Sequence, residues 1–247
     1  MQISKTPILN VNVSCVNYQK TLYQIKRWIS TKQKKYICVA AVHLIMECQN
    51  KPQLLYGVNK ADLVVTDGMP LVWLTKLYRY QDTERVYGPK LMLKICEYAQ
   101  NNKIKIFLLG GAPNQSQELL VKLIKLFPKL LIVGNQDTPT RPINNKNNNQ
   151  IIKQINRSNA QIVFIGMGCP YQELWMIENR INLKPNILIG VGAAFDLISG
   201  RIKQAPKYMQ QIGMEWLFRF IQEPKRLWYR YTVLNVKFIY RLITIYF

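Results

Sequence analysis

Acidic residues are scarce in this sequence. Its 247 residues include 13 Asp and Glu against 34 Lys and Arg, which gives a formal net charge of +21. Such an excess of positive charge predicts a polyanionic partner, which could be nucleic acid, an anionic membrane surface or a phosphorylated ligand. The chain is also rich in Lys, Asn and Ile, as AT-rich genomes tend to encode. Part of the charge can therefore be a solvated face without a partner.

Histidine is almost absent, and no cysteines form a CxxC pair. His43 is the only histidine, and none of the five cysteines belongs to a Cys/His cluster with the spacing of zinc ligands, so no metal site is predicted. An odd number of cysteines, several in apolar surroundings, indicates reduced thiols in a reducing compartment. Cys169 lies in a glycine loop, but a nucleophilic role would require His43 as its base, and nothing in the sequence brings the two together.

Long apolar runs are missing as well. No stretch reaches the roughly 18–20 uninterrupted apolar residues of a membrane-spanning helix. Residues 1–13 contain no apolar segment of the kind found in signal peptides. We therefore expect the protein to be made and kept in the cytosol, or in a plastid stroma if its composition reflects an organellar genome.

The stretch QIVFIGMGCPYQELWMIENR carries the clearest structural pattern in the chain. Residues 162–165 form an apolar run too short for a helix, which indicates a buried strand of a parallel sheet. Gly166 and Gly168 then predict a tight loop where the backbone can approach a ligand, and an amphipathic helix is predicted over residues 172–180. Ligands of open α/β sheets bind at the carboxyl ends of the strands, although a purely structural strand–helix unit has the same pattern. The side chains expected to face such a crevice are those of Gln172 and Glu173.

Similar short apolar runs alternate with amphipathic stretches over the first 200 residues. Strands are predicted at 8–13, 36–41, 61–66, 104–109, 130–134 and 186–191, and helices at 17–31, 44–48, 71–80, 90–100, 116–127 and 150–158. This alternation indicates βαβ units, and hence an α/β domain over residues 1–200 with a mostly parallel sheet flanked by helices. The low-complexity segment 138–149 is predicted to be an exposed loop.

Residues 201–247, which we call the appendage, have a different character. They contain nine Lys and Arg against two Glu, and no strand–glycine pattern recurs. A helix is predicted over residues 214–222, Pro224 should end it, and a basic, aromatic helix is predicted over residues 225–247. That combination suits an interfacial helix on anionic lipid. A helix docked on its own domain is an alternative; nucleic-acid binding is another, but no RNP, helix-turn-helix or zinc-finger signature supports it.

Four stretches, taken together, resemble the WecG/TagA/CpsF family of glycosyltransferases. They are TDGMPLVWL (66–74), FLLGG (107–111), FIGMGCPYQELWMIENR (164–180) and IGVGAAFDLISGRIKQAPKYMQQIGMEWLFRFIQEPKRLWYRY (189–231). The likeness covers nearly the whole chain. It implies a Rossmann-like α/β core and a basic, helical, membrane-proximal appendage that completes the active site.

The resemblance also implies an activity. Family members transfer an N-acetylmannosamine-type sugar from a UDP donor to a polyprenyl-diphosphate-linked acceptor, with inversion at the anomeric carbon and without a required metal or other cofactor. The implied partners are a UDP-sugar, a lipid-linked or other glycolipid acceptor and an anionic membrane surface. A homo-oligomer is also implied, because oligomers occur in the family, whereas nucleic acid is not expected. The implied location is the cytoplasmic face of a membrane, with peripheral attachment.

Several residues match functional positions of the family. Asp67 in TDG matches the favoured general base, because an inverting transfer needs a carboxylate to take the proton of the acceptor hydroxyl; a simple turn residue after a strand is the alternative. Gln172 matches a glutamine that contacts substrate, and Arg219, Arg226 and Arg230 match appendage arginines that could bind diphosphate. Glycines in the matching segments would let backbone N–H groups approach the donor diphosphate. The remaining substrate-binding positions are Gly68, Arg85, Gly110, Gly111, Gly166, Gly168, Glu173, Gly192 and Asp196.

The sequence also departs from the family pattern. Tyr171 stands where a lysine is often found, and Lys90 where an acid is usual. Ala40 and Ala41 end a strand that bears Thr or Asn in the family, and the asparagine-rich residues 144–149 replace a loop that is often aromatic. These differences put sugar specificity in question. They leave a second interpretation open, in which a catalytically degenerate relative binds a membrane or nucleic acid.

Overall fold

The computed structural model describes residues 3–140 and 142–246. Among them are eight strands. They are β1 (Lys5–Ile8), β2 (Val11–Ser14), β3 (Lys35–Ala40), β4 (Leu63–Thr66), β5 (Lys105–Gly110), β6 (Leu131–Gln136), β7 (Ile162–Gly166) and β8 (Ile187–Gly190). Strands β3 to β8 form one six-stranded parallel sheet in the order β4-β3-β8-β7-β5-β6. The predicted parallel sheet is confirmed, and most predicted strands lie within two residues of the observed ones.

Helices cover both faces of this sheet. They are α1 (Tyr18–Ser30), α2 (Val42–Asn50), α3 (Pro52–Lys60), α4 (Met69–Leu77), α5 (Gly88–Asn101), α6 (Gln115–Leu126), α7 (Asn145–Arg157), α8 (Tyr171–Asn179) and α9 (Ala194–Ser199). Two clusters of buried apolar side chains, one on each face, pack the helices onto the strands. Because both faces are covered, the strands read as continuous apolar runs rather than alternating ones. The Rossmann-like α/β fold class is thereby confirmed.

The single strand predicted at residues 8–13 was wrong. Strands β1 and β2 form an antiparallel hairpin, in which Leu9 and Asn10 make the turn with positive φ angles of 45° and 68°. Neither residue is a glycine, so the sequence carried little signal for this turn. The hairpin lies beside β4, where the Val64 N–H donates to Ser14 Oγ at 3.0 Å.

The exposed loop predicted over residues 138–149 was also partly wrong. Helix α7 begins at Asn145, and the side chain of Asn144 caps it by accepting from the Asn147 N–H at 2.9 Å. Asparagine is a favoured N-cap residue, and the buried apolar face formed by Ile151 and Ile155 stabilises the helix. Arg141, within the same segment, lies outside the described residues.

Helix α3 was not predicted at all.

Glycine allows the ends of β5 and β7 to approach each other closely. Gly110 has a φ of 126°, and a Cβ there would lie 2.6 Å from the backbone carbon of Gly166. A Cβ at Gly166 would in turn lie 2.5 Å from the ring of Phe195. Side chains are thus excluded at both positions, and the carboxyl edge of the sheet is left with a floor of bare backbone.

Four α-helices lie in the part of the appendage that the structure describes, residues 201–246. They are α10 (Lys207–Gln211), α11 (Glu215–Gln222), α12 (Pro224–Trp228) and α13 (Leu234–Tyr246), with a π-helical turn over Tyr229–Val233 between the last two. The break at Pro224 and the helices on either side of it match the prediction, although Phe247 lies outside the described residues. Leu234 and Phe238 are buried in the cluster that includes residues of α2. The division between a domain of residues 1–200 and the appendage stays a prediction.

Candidate active site

The appendage helices lie over the carboxyl edge of the sheet and enclose a cleft of about 590 Å³. Its floor comes from the residues that follow β3, β4, β7 and β8, and its roof from α11, α12 and the π-helical turn. A smaller recess of about 120 Å³ adjoins it and is lined partly by Met69, Pro70, Trp216 and Tyr231. The cleft and the recess share several lining side chains, among them Asp67, so this carboxylate stands where the two meet.

Asp67 follows directly after β4, and the structure presents its side chain to the cleft. Its backbone N–H donates to the Ala40 carbonyl oxygen at 2.8 Å, which fixes the turn beside the end of β3. The side chain is 26% exposed, and Arg85 Nη2 lies 3.4 Å from its Oδ1. Burial raises the pKa of Asp67, while the positive charge of Arg85 opposes that rise. A carboxylate more basic than usual suits proton abstraction.

Arg85 also contacts a carboxylate of the appendage. Its Nη2 donates to Glu215 Oε2 at 2.7 Å, and Glu215 Oε1 accepts from the Tyr87 hydroxyl at 2.8 Å. The Arg85 guanidinium lies 4.4 Å from the centre of the Tyr87 ring. Sequence reasoning predicted Arg85 as a site residue but missed Glu215 and Tyr87. The one available signal was an acid in an appendage where bases outnumber acids nine to two.

The three predicted appendage arginines all line the cleft. Arg226 is paired with Glu223. Arg219 and Arg230 form no salt bridge with any carboxylate among residues 3–140 and 142–246, and Arg219 Nε is buried without a hydrogen-bond partner there. Uncompensated guanidinium groups in a partly enclosed cleft can bind phosphate oxygens.

Gln172 and Glu173 occupy different layers of the site. Gln172 lines the cleft, and its Nε2 donates to Glu173 Oε1 at 2.7 Å. Gln172 Oε1 is buried and has no hydrogen-bond partner within the described chain, which leaves it available as an acceptor. Glu173 is fully buried and is absent from the cleft wall, so the expectation that it faces the crevice was wrong. Burial raises the pKa of Glu173 to about 7.

The predicted glycines separate into three groups. Gly166, Gly168 and Gly192 line the cleft, and Gly68 lines the smaller recess. Gly110 and Gly111 line neither cavity. Gly110 packs against the backbone of Gly166, and Gly111 lies beside the side chain of Gln115. The Gly111 N–H donates to the Gly166 carbonyl oxygen at 3.1 Å and is therefore occupied.

Asp196 lines the cleft, where its Oδ1 accepts from Gln115 Nε2 at 2.6 Å.

The positions that depart from the family pattern lie at different depths. Ala41 lines both cavities and Tyr171 lines the cleft, whereas Ala40 is buried. Lys90 lines neither cavity, and its Nζ lies 5.0 Å from the ring centre of Tyr18.

Tertiary folding places His43 and Cys169 on the wall of the same cleft, which the sequence did not predict. Burial raises the pKa of Cys169 well above its ordinary value, so the thiol stays protonated and poorly nucleophilic. Burial, together with the charge of Arg230, lowers the pKa of His43 to about 4. A neutral imidazole can donate one hydrogen bond to a bound ligand and accept another from it. No group of three or more His, Cys, Asp or Glu within the described ranges could hold a metal ion.

The fold and the site therefore define an α/β protein with a carboxylate and free arginines at the carboxyl edge of a parallel sheet. The model of the Glycosyl transferase WecG/TagA/CpsF family matches residues 6–246. The chain belongs to this family, and membership implies glycosyltransferase activity in polysaccharide biosynthesis, with a sugar donor and an acceptor.

Proposed function

We propose that the protein is an inverting glycosyltransferase that moves an N-acetylhexosamine, of the N-acetylmannosamine type, from a UDP donor to a lipid-linked acceptor. The acceptor is a polyprenyl-diphosphate-linked sugar or another glycolipid. The observation that carries this proposal is the position of Asp67 between the cleft and the recess, with Arg219 and Arg230 facing it from the appendage.

In the proposed reaction Asp67 is the general base. The acceptor hydroxyl oxygen attacks the anomeric carbon, its proton passes to the Asp67 carboxylate, and the bond from the anomeric carbon to the diphosphate oxygen breaks. UDP leaves with that electron pair, so one carbon–oxygen bond replaces another and the anomeric configuration inverts. The raised pKa of Asp67 supports this role, because it brings the base closer to neutral pH.

The departing UDP carries negative charge that the site must stabilise. Arg219 and Arg230 are suited to this, because they lack carboxylate partners among the described residues and face a partly enclosed space. The larger cleft has the room and the backbone floor for a nucleotide sugar, with Gly166, Gly168 and Gly192 beside it. Gln172 would accept a hydrogen bond from a hydroxyl or amide N–H of the sugar.

The recess on the other side of Asp67 suits the acceptor. Its lining includes the apolar side chains of Met69, Pro70 and Trp216. The exposed Trp73 and Leu77 of α4 continue this apolar surface outward, since Trp73 and Met69 both lie close to Gly213. A lipid tail could leave the site along this face while its first sugar stays beside Asp67.

The test is a transfer assay on the purified protein with a short-chain GlcNAc-diphospho-lipid and a panel of UDP-hexosamines. A new disaccharide-lipid of inverted configuration, together with free UDP, is the expected product. Failure with every donor while UDP still binds would point to a different acceptor. Loss of both product and UDP binding would favour a degenerate relative. Salt-dependent binding to DNA or RNA in that case would favour a nucleic-acid function.

Helix α13 supports membrane contact. Val236, Ile239, Tyr240 and Ile243, which we call the exposed stripe, share one face of α13 and are each between 55% and 67% exposed. Lys237 and Arg241 lie along one side of this face, and the buried Leu234 and Phe238 lie on the opposite side of the helix. An apolar stripe bordered by bases is suited to the interface of an anionic bilayer. No helix in the part of the chain that the structure describes is long and apolar enough to cross a membrane.

Replacing Ile239 and Ile243 by Asn is therefore expected to weaken binding to phosphatidylglycerol vesicles by about tenfold or more, because buried apolar area contributes to interfacial affinity. Vesicle co-sedimentation at two salt concentrations measures this. The matched control replaces Val121 and Ile124 by Asn, since both are exposed on α6 and lie outside the appendage. Equal loss in the two variants, or no loss in either, would contradict a membrane role for the stripe.

A further inference from the structure

Glu215 is a buried acid that the proposed reaction does not use. It is the first residue of α11, is 6% exposed and belongs to the appendage, where bases outnumber acids. Both of its carboxylate oxygens are occupied by residues of the α/β core. Arg85 Nη2 donates to one at 2.7 Å and the Tyr87 hydroxyl donates to the other at 2.8 Å. Glu215 is thus a polar attachment point between the appendage and the core.

Arg85 is shared between two carboxylates, and unequally. Its Nε donates to the backbone oxygen of Asp67 at 2.5 Å, which anchors the guanidinium beside the candidate base. Its Nη2, however, lies 2.7 Å from Glu215 and 3.4 Å from the Asp67 carboxylate. The short, charge-assisted contact is therefore made to Glu215. If Glu215 were absent, the same nitrogen would be free to close on Asp67, and a tightly paired carboxylate is a poor proton acceptor.

We propose that Glu215 is a positioning residue that engages Arg85 and so keeps the Asp67 carboxylate available to take the acceptor proton. The inference rests on the proposed function of Asp67. Because Glu215 belongs to α11, it can do this only while the appendage is docked on the core. Docking would then supply more than a roof for the cleft, since it would also set the strength of the base.

The sign of the effect follows from the charges around Asp67. Burial raises the pKa of Asp67, Glu215 raises it further, and Arg85, Arg219 and Arg230 lower it. Removing the charge of Glu215 should therefore lower the pKa of Asp67, both directly and by releasing Arg85 towards it. The charged or titratable groups that face Asp67 from the packed elements are Tyr18 (α1), His43 (α2), Arg85, Tyr87, Glu215 and Arg219 (α11) and Arg230.

The experiment is a carboxyl ¹³C NMR titration of the full chain, which needs no substrate. Only 13 acidic side chains contribute signals, and the Asp67 signal is the one that disappears in Asp67→Asn. In Glu215→Gln the titration midpoint of the Asp67 carboxyl group is expected to move to lower pH. Glu97→Gln on α5 is the control, because Glu97 is exposed and lines neither cavity, and it should leave the midpoint unchanged.

A double-mutant cycle with Arg85→Gln separates an effect of Glu215 that acts through Arg85 from the direct electrostatic effect of Glu215 on Asp67. The change in the Asp67 titration midpoint caused by Glu215→Gln should be much smaller when Arg85 is already absent. An equal shift in both backgrounds, or no shift while amide exchange shows α11 still protected, would overturn the proposal. If exchange shows that the appendage has been released, Glu215→Asp replaces the first variant, since it keeps the charge and withdraws it by one methylene. A shift in the same direction is then expected, and its absence would overturn the proposal.

The same variants report on activity. If transfer is observed, the acidic limb of the kcat/KM profile should move to lower pH in Glu215→Gln, and the plateau should fall by about tenfold because a weaker base abstracts the proton. A purely structural role would lower the plateau without moving the limb, and would count against the proposal. Absence of both transfer and UDP binding in the wild type would refute the proposed function, whereas the NMR titration would still decide whether Glu215 acts on Asp67 through Arg85.

Discussion

Asp67→Asn is expected to fold like the wild type and to lose at least about a hundredfold in turnover, the usual scale for a general base. An amide has nearly the shape of the carboxylate but cannot take the acceptor proton. The side chain makes only a long contact with Arg85, so little stability should be lost with its charge. The initial rate of sugar transfer at saturating donor and acceptor measures the effect, and thermal unfolding checks the fold.

Asp82→Asn is the matched control for this variant. Asp82 is exposed, pairs with Lys20 on the outer surface and lines neither cavity of the site, so the same chemical change there should leave turnover as it was. UDP binding should survive in Asp67→Asn, because the arginines remain. Wild-type turnover in Asp67→Asn would show that another group accepts the proton, and the assignment of Asp67 would have to be abandoned.

The double variant Arg219→Gln with Arg230→Gln is expected to lose about 100-fold to 1000-fold in kcat/KM, a scale typical of groups that stabilise developing charge. Both guanidinium groups face the cleft without a carboxylate partner among the described residues. No salt bridge within the described chain therefore competes with the leaving diphosphate for these two groups. Steady-state kinetics with varied donor measures the loss, and the inhibition constant of UDP reports the share that comes from ground-state binding.

The control for the arginine variant is Lys153→Gln with Arg157→Gln, which removes the same charge from the exposed surface of α7. Helix α7 leads into the amino end of β7, at the opposite edge of the sheet from the cleft. If both double variants lost the same activity, the effect would be one of net charge. If Arg219 and Arg230 could be removed without loss, the leaving group would have to be stabilised by other residues.

The sheet could be predicted from the sequence because most of its strands are short apolar runs whose side chains are buried on both faces of the sheet. The strand predicted at 36–41 is β3 (Lys35–Ala40), and the one predicted at 162–165 is β7 (Ile162–Gly166). The errors fall where local pattern is weak. The hairpin turn at Leu9 and Asn10 lacks glycine, and the asparagines at the start of α7 are typical of loops until tertiary packing gives Ile151 a buried place.

The candidate site was predictable only in part. Asp67 and the three arginines are cleft residues, as the resemblance implied, whereas Glu173 and Gly111 lie behind the wall that they were expected to form. Both residues lie in segments that contribute to the site, but they are buried instead of lining the cleft. Whether a side chain at a strand end lines the cleft or is buried depends on the elements that pack against it, and a single sequence does not carry that information.

By itself the sequence determined the parallel α/β architecture, the helical character of the appendage and the family, and it led to the proposal that Asp67 is the base. Only the tertiary structure decided that Glu215 reaches Arg85 across 130 positions. The physical reason is one of range. Apolar periodicity and turn residues act over a few neighbouring positions, whereas the charge environment of Asp67 is set by side chains that meet only after the appendage has folded back over the sheet.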